Sequence, residues 1–120
     1  VGPVALDACV AIAFLEQADA QHSRAVDALR ECAGAPLSMA AGAYGETLVR
    51  PLAMGCADAV EDFVDGLGVE IVAVDRAIGR RAAELRAEHR ALRLPDALVL
   101  ATAQLRGARL LSFDQRLSQL

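Results

Sequence analysis

The chain has 120 residues and a formal net charge of −4; 55% of its residues are hydrophobic and only 3% aromatic. That length suits one domain over residues 1–120 with a core of Ala, Val, Leu and Ile, and the acidic balance argues against a protein that coats nucleic acid in general. All 12 basic residues are Arg, so there is no Lys for a P-loop or a Schiff base, nor for receiver domains and haloacid-dehalogenase-type phosphatases, which normally use one.

No apolar run approaches the roughly 20 residues of a membrane span. The longest, Ala8–Leu15, follows an acidic residue without a basic leader, which fits a signal peptide poorly. A soluble cytoplasmic protein is expected. The chain begins at Val1 rather than Met, so residues upstream are expected too. Cys9, Cys32 and Cys56 are odd in number and lack C-x-x-C spacing, which suggests neither a disulfide framework nor a zinc site. His22 and His89 show no metal-ligand pattern.

Pro3–Leu6 reads as a short buried strand ending at Asp7, and Ala8–Leu15 as a helix buried on nearly all sides. A second helix is predicted over Ala20–Ala33, with Ala25, Val26, Leu29 and Cys32 on one face and Gly34 as its stop. Pro36–Met39 is the second strand. The next helix starts near Ala40, carries Glu46, and is expected to end or kink at Pro51. Ala57–Leu67 is amphipathic, with Val60, Phe63, Val64 and Leu67 inward. Val69–Val74 is the third strand, and Glu70 hints that it is an edge. Asp75 caps a long Arg-rich helix to about Ala91, whose inner stripe is Ile78, Ala82, Leu85, His89 and Leu92. Pro95 should open a buried helix that closes at Gly107. Arg109–Phe113 is the last strand, and a short helix Gln115–Leu120 follows.

Strands alternate with helices and no hairpin signal interrupts them. This predicts a three-layer α/β/α fold around a parallel sheet of about four strands. Ligands of such sheets bind at the carboxyl ends of the strands. Asp7 follows the first strand, Asp114 follows the last, and Glu46 lies two turns into the helix after the second. Asp96 opens the helix before the last strand. A helix leading into a strand is expected to start at the other edge, so the sequence leaves its convergence open. Each acid also has a structural reading: Asp96 complements a helix dipole, and Asp114 caps the final helix.

Leu6-Asp7-Ala8-Cys9-Val10, Glu46, Leu94-Pro95-Asp96-Ala97-Leu98 and Leu110-Leu111-Ser112-Phe113-Asp114, in that order, resemble the PIN domain, and within it the VapC toxins of bacterial toxin–antitoxin pairs. The resemblance covers essentially the whole chain and implies a Mg²⁺- or Mn²⁺-dependent endoribonuclease. It makes Asp7, Glu46, Asp96 and Asp114 the metal-site acids, with Ser112 in support; of the four, Asp7 and Asp96 are expected to be the direct ligands, with Glu46 and Asp114 completing the shell or orienting water. Ala8 and Cys9 depart from the Ser, Thr or Asn frequent there, which is expected to loosen the hydrogen bonding of Asp7.

The chemistry of the residues agrees. Crowded carboxylates repel, and some stay protonated unless a cation is present. Hard divalent ions take oxygen ligands. For RNA, the obvious basic patch is Arg76, Arg80, Arg81, Arg86, Arg90 and Arg93, with Arg86, Arg90 and Arg93 nearest Asp96. Its structural reading is a solvated helix face with pairs such as Arg80–Glu84. Arg50, four residues from Glu46, is expected to form a salt bridge as readily as an RNA contact. The family further implies a homodimer and a cognate antitoxin lying near the acids, in a groove that Ala8–Leu15 and Ala40–Leu52 with Tyr44 would line. Two other readings are a catalytically silent PIN-like interaction module and a structure-specific housekeeping nuclease without antitoxin.

Overall fold

Val4–Leu6 (β1), Leu37–Ala40 (β2), Glu70–Val72 (β3) and Arg109–Leu111 (β4) form one sheet in the order β3-β2-β1-β4, in a computed structural model that describes residues 2–120. Every pairing is parallel. The central strand β1 is buried throughout, as a strand covered on both faces must be. Helices Ala8–Leu15 (α1), His22–Glu31 (α2), Ala41–Ala53 (α3), Asp58–Gly66 (α4), Arg76–Glu88 (α5), Leu94–Leu105 (α6) and Gln115–Ser118 (α7) complete the chain.

Strand alternation sorts the core into two layers. Val4, Leu6 and Met39 pack with Ala8, Ala11, Ala43 and Phe63 from α1, α3 and α4. On the opposite face Val72 packs with Ile78, Ala82 and Leu85 of α5 and with Ala97, Leu100 and Ala101 of α6. Ala5 and Ser38 are register partners, alternate with the first layer, and are buried. Their small side chains let α6, buried at Ala97, Ala101 and Ala103, lie close across β1 and β2. Buried Thr47 and Thr102 donate to the carbonyls of Ala43 and Leu98, at 2.8 and 2.7 Å. Cys32 is a buried core residue, and His89 is the half-buried C-cap of α5.

Three expectations are corrected. The third strand is shorter than Val69–Val74, because the Val69 N–H donates to Val64 at 2.9 Å and pairing with β2 ends at Ala40↔Val72. Of the two effects expected of Pro51, an end or a kink, the end does not occur, because α3 runs on to Ala53; in the last turn its missing N–H costs only one helical bond. Leu67 is 45% exposed rather than inward, since it is the C-cap of α4. Among the described residues no helix is long and apolar enough to cross a membrane.

Candidate metal centre

Asp7 sits where β1 turns into α1. Its backbone N–H donates to the Leu111 carbonyl at 3.0 Å, so the neighbouring strand β4 fixes its place. Its side chain caps α1, with Oδ1 accepting the Ala8 N–H at 2.9 Å. Oδ2 accepts the Ser112 hydroxyl at 2.8 Å and the Cys9 thiol at 3.6 Å.

Ser112 is equally committed. Its Oγ accepts the Asp114 N–H at 3.0 Å, so one hydroxyl ties the acid after β1 to the acid after β4. Cys9 Sγ accepts the Phe113 N–H at 3.4 Å. The Phe113 ring is held from outside by the Arg24 guanidinium, 4.5 Å from its centre. Cys9 thus keeps a side-chain hydrogen bond to Asp7 through sulfur, while Ala8 contributes only its backbone N–H. Burial pushes the Cys9 thiol above its ordinary pKa, and the Asp7 charge adds to the rise. The protonated thiol donates to Asp7 Oδ2 while its sulfur accepts the Phe113 N–H.

The open question about Asp96 resolves in favour of convergence. Three residues, Arg106–Ala108, link α6 to β4, with Gly107 in the left-handed region at φ 61°. The Arg109 N–H bonds the Pro3 carbonyl at 3.0 Å, so α6 ends at the amino edge of the sheet. A helix of 12 residues spans about 18 Å, which carries its first turn back to the carboxyl edge. The expectation failed because a helix that leads into a parallel strand runs antiparallel to it, and so starts at the carboxyl edge and ends at the amino edge.

Asp7, Glu46 and Asp96 together line two hollows of about 400 and 470 Å³, and the second also reaches Cys9, Phe113 and Asp114. All four predicted acids thus face one cleft. Asp7, Asp96 and Asp114 are half-buried and Glu46 is exposed. They are not crowded: among the described residues, no three acidic, His or Cys side chains are gathered tightly enough to hold one ion.

Asp114 adopts its structural reading as well, capping α7 with Oδ1 accepting the Arg116 N–H at 3.0 Å. The Arg116 side chain closes on the same carboxylate, Nε to Oδ1 at 3.3 Å and Nη2 to Oδ2 at 3.1 Å. That pairing holds the Asp114 carboxyl below its ordinary pKa. A cation from the chain itself answers the charge of Asp114.

Of the basic patch, Arg80 and Arg81 pair with Glu84 at 3.5 and 3.3 Å. Arg86 Nε donates to the Leu92 carbonyl at 2.9 Å and ties down the turn before α6. Arg90 and Arg93 are exposed and have no acidic partner among the described residues. Glu46 and Arg50 line one hollow between α1 and α3 with Ile12, Leu15 and Met54 but form no ion pair among the described residues. Tyr44 turns to α4, donating to Glu61 at 2.7 Å. Sequence reasoning missed Arg116, whose only signal was its place two residues beyond a helix-capping acid.

The PIN-domain family profile matches residues 4–120. Solved structures share the fold. VapC20 of Mycobacterium tuberculosis, described as a sarcin-ricin loop cleaving toxin, superposes with a TM-score of 0.80 at 20% identity, over 97% of this chain and 93% of that one. A toxin–antitoxin complex from Klebsiella pneumoniae gives 0.76 at 23% identity, over 94% and 88%. VapBC2 from Rickettsia felis, bound to a promoter DNA fragment, gives 0.73 at 12% identity, over 99% and 92%. A comparison with curated proteins gives no match. A four-stranded parallel sheet with acids at its carboxyl edge, and a profile matched from β1 to the last residue, lead to one assignment: the chain belongs to the PIN-domain family.

Proposed function

We propose that residues 1–120 form a single nuclease domain, a divalent-metal-dependent endoribonuclease that acts as the toxin of a VapBC-like toxin–antitoxin pair. The observation that carries this reading is the gathering of Asp7, Glu46, Asp96 and Asp114 around one cleft. Elements spread over the whole chain supply these acids, and a merely solvated set of acids would not need to share one edge of the sheet. The likeness to structures described as toxins and toxin–antitoxin complexes supports the choice of RNA and of an antitoxin partner. A homodimer in the cytoplasm completes the reading.

The donor chemistry fits Mg²⁺ or Mn²⁺. The cleft offers carboxylate oxygens, and the one soft atom nearby, Cys9 Sγ, is engaged as a thiol. Mg²⁺ is held by one or two carboxylates and keeps several waters, which suits acids that share a cleft without closing on a point. Asp7 and Asp96 would hold the ion directly, with Glu46 and Asp114 orienting its waters. When bound, the ion supplies an activated water and charge stabilisation at the phosphoryl and leaving oxygens.

The chain's own groups do the rest. Ser112 holds Asp7 Oδ2 and the Asp114 peptide in one register. Arg90 and Arg93, exposed before Asp96, meet the RNA backbone, as Arg86 does to the extent that its bond to Leu92 leaves guanidinium N–H groups free. The test is incubation of purified protein with total RNA in Mg²⁺, in Mn²⁺ and in EDTA. Discrete metal-dependent cuts are expected. Folded protein, freed of any co-purified partner, that cuts under no metal would overturn the nuclease in favour of a silent PIN-like module.

A further inference from the structure

Arg116 is a cation bonded to one acid of the cleft, Asp114, and no part of the reading above uses it. Its guanidinium spans both oxygens of Asp114, and the negative charge of Asp96 acts on it as well. Its side chain is 68% exposed against 30% for Asp114. The guanidinium therefore lies on the solvent side of the acid, where an approaching strand would meet it first.

A guanidinium carries five N–H donors in a fixed fork. Here the bonds to Asp114 come from Nε and Nη2 only. The Nη1 pair and the second Nη2 hydrogen remain for another acceptor, and phosphate is the planar fork's other natural partner. Several other arginines are already engaged: Arg80 and Arg81 with Glu84, Arg86 with the Leu92 carbonyl, and Arg106 with Glu70. As stability alone, an exposed pair such as Arg116–Asp114 contributes little. A chain of net charge −4 needs local cations to receive a polyanion beside its acids.

We propose that Arg116 is an RNA-binding residue: held at the lip of the acidic cleft by Asp114, it contacts a backbone phosphate of the RNA independently of any metal. This rests on the ribonuclease reading and adds a substrate contact to it. No covalent step is involved.

The experiment measures anisotropy of a short fluorescein-labelled single-stranded RNA of mixed sequence in EDTA, across a salt series. Wild type is compared with Arg116→Ala, Arg116→Lys and, as a remote control, Arg30→Ala on the exposed face of α2. Circular dichroism confirms folding. Loss of one phosphate contact reduces the slope of log K against log salt by about 0.7 on a single strand. That reduction is expected for Arg116→Ala, with wild-type slopes for Arg116→Lys and Arg30→Ala. Calorimetric Mn²⁺ titration separates the alternative: if Arg116 only orients Asp114, the Ala variant changes Mn²⁺ binding and leaves the salt slope intact, which overturns the proposal. Wild type that binds no RNA in EDTA also overturns it. RNA cleavage by the same wild-type preparation shows whether the nuclease reading stands regardless.

Discussion

Ser112 Oγ donates to Asp7 Oδ2 at 2.8 Å across a sequence separation of 105 residues, and the same oxygen accepts the Asp114 N–H at 3.0 Å. One small side chain joins the two ends of the chain at the place where the acids meet. Groups that orient metal ligands are commonly worth about 10–100-fold in metal affinity or activity. Ser112→Ala is expected to lower single-turnover RNA cleavage by roughly that factor, while Ser112→Thr retains most of it. Equal activity of the Ala variant would show that the bridge is incidental.

The three cysteines should differ in reactivity. Cys9 is half-buried with its thiol pKa raised, Cys32 is buried, and Cys56 is exposed. A raised pKa means less thiolate at neutral pH, and the thiolate is the reactive form. Iodoacetamide at pH 7 followed by peptide mass mapping should label Cys56 first and leave Cys9 largely unmodified. Preferential labelling of Cys9 would contradict the hydrogen bonding described around Asp7.

Asp114 gives a pH prediction whose sign follows from Arg116. The side-chain bonds of Arg116 are the largest cause of its lowered pKa. A carboxylate depressed in the folded state contributes stability that is present above its unfolded pKa and is lost as pH falls through the folded value. Arg116→Gln should move the NMR titration midpoint of the Asp114 carboxyl carbon upward. An unmoved midpoint would mean the pair does not persist in solution.

Leu6 is fully buried in β1, in the layer with Met39, Ala43 and Phe63. Leu6→Ala should cost about 2–5 kcal/mol, read as a lower urea midpoint with an unchanged slope. Because Asp7 follows directly, cleavage should suffer as well. A cost below about 1 kcal/mol would place Leu6 outside a close-packed core.

Much of this was legible in the sequence, for physical reasons that differ along the chain. Gly34 and Gly107 mark helix ends because each has positive φ. Asp75 marks a helix start because its side chain accepts the Ile78 N–H. Glu70 marked an edge strand because a charged residue tolerates only a position open to water. Parallel topology sends strand ends to one edge, which made Asp7, Glu46 and Asp114 legible as neighbours, whereas Asp96 joined them only through the family resemblance. What was not legible depended on direction and on short-range bonding. The position of Asp96 required knowing that the turn Arg106–Ala108 leaves α6 antiparallel to β4. Cys9 read as a departure from family pattern, yet its sulfur takes the Phe113 N–H. Arg116 read as one more exposed helix residue, and nothing in its spacing said that its guanidinium would close on Asp114.

The measurement to make first pairs metal binding with cleavage in Asp96→Asn, which keeps the shape of the side chain and removes its charge. Calorimetric Mn²⁺ titration and total-RNA cleavage are run on this variant and on wild type. If the acids around the cleft hold the metal that cuts RNA, the variant stays folded, loses at least about 10-fold in Mn²⁺ affinity, and loses the discrete metal-dependent cuts. Cleavage and Mn²⁺ affinity that both survive Asp96→Asn would place the chemistry elsewhere.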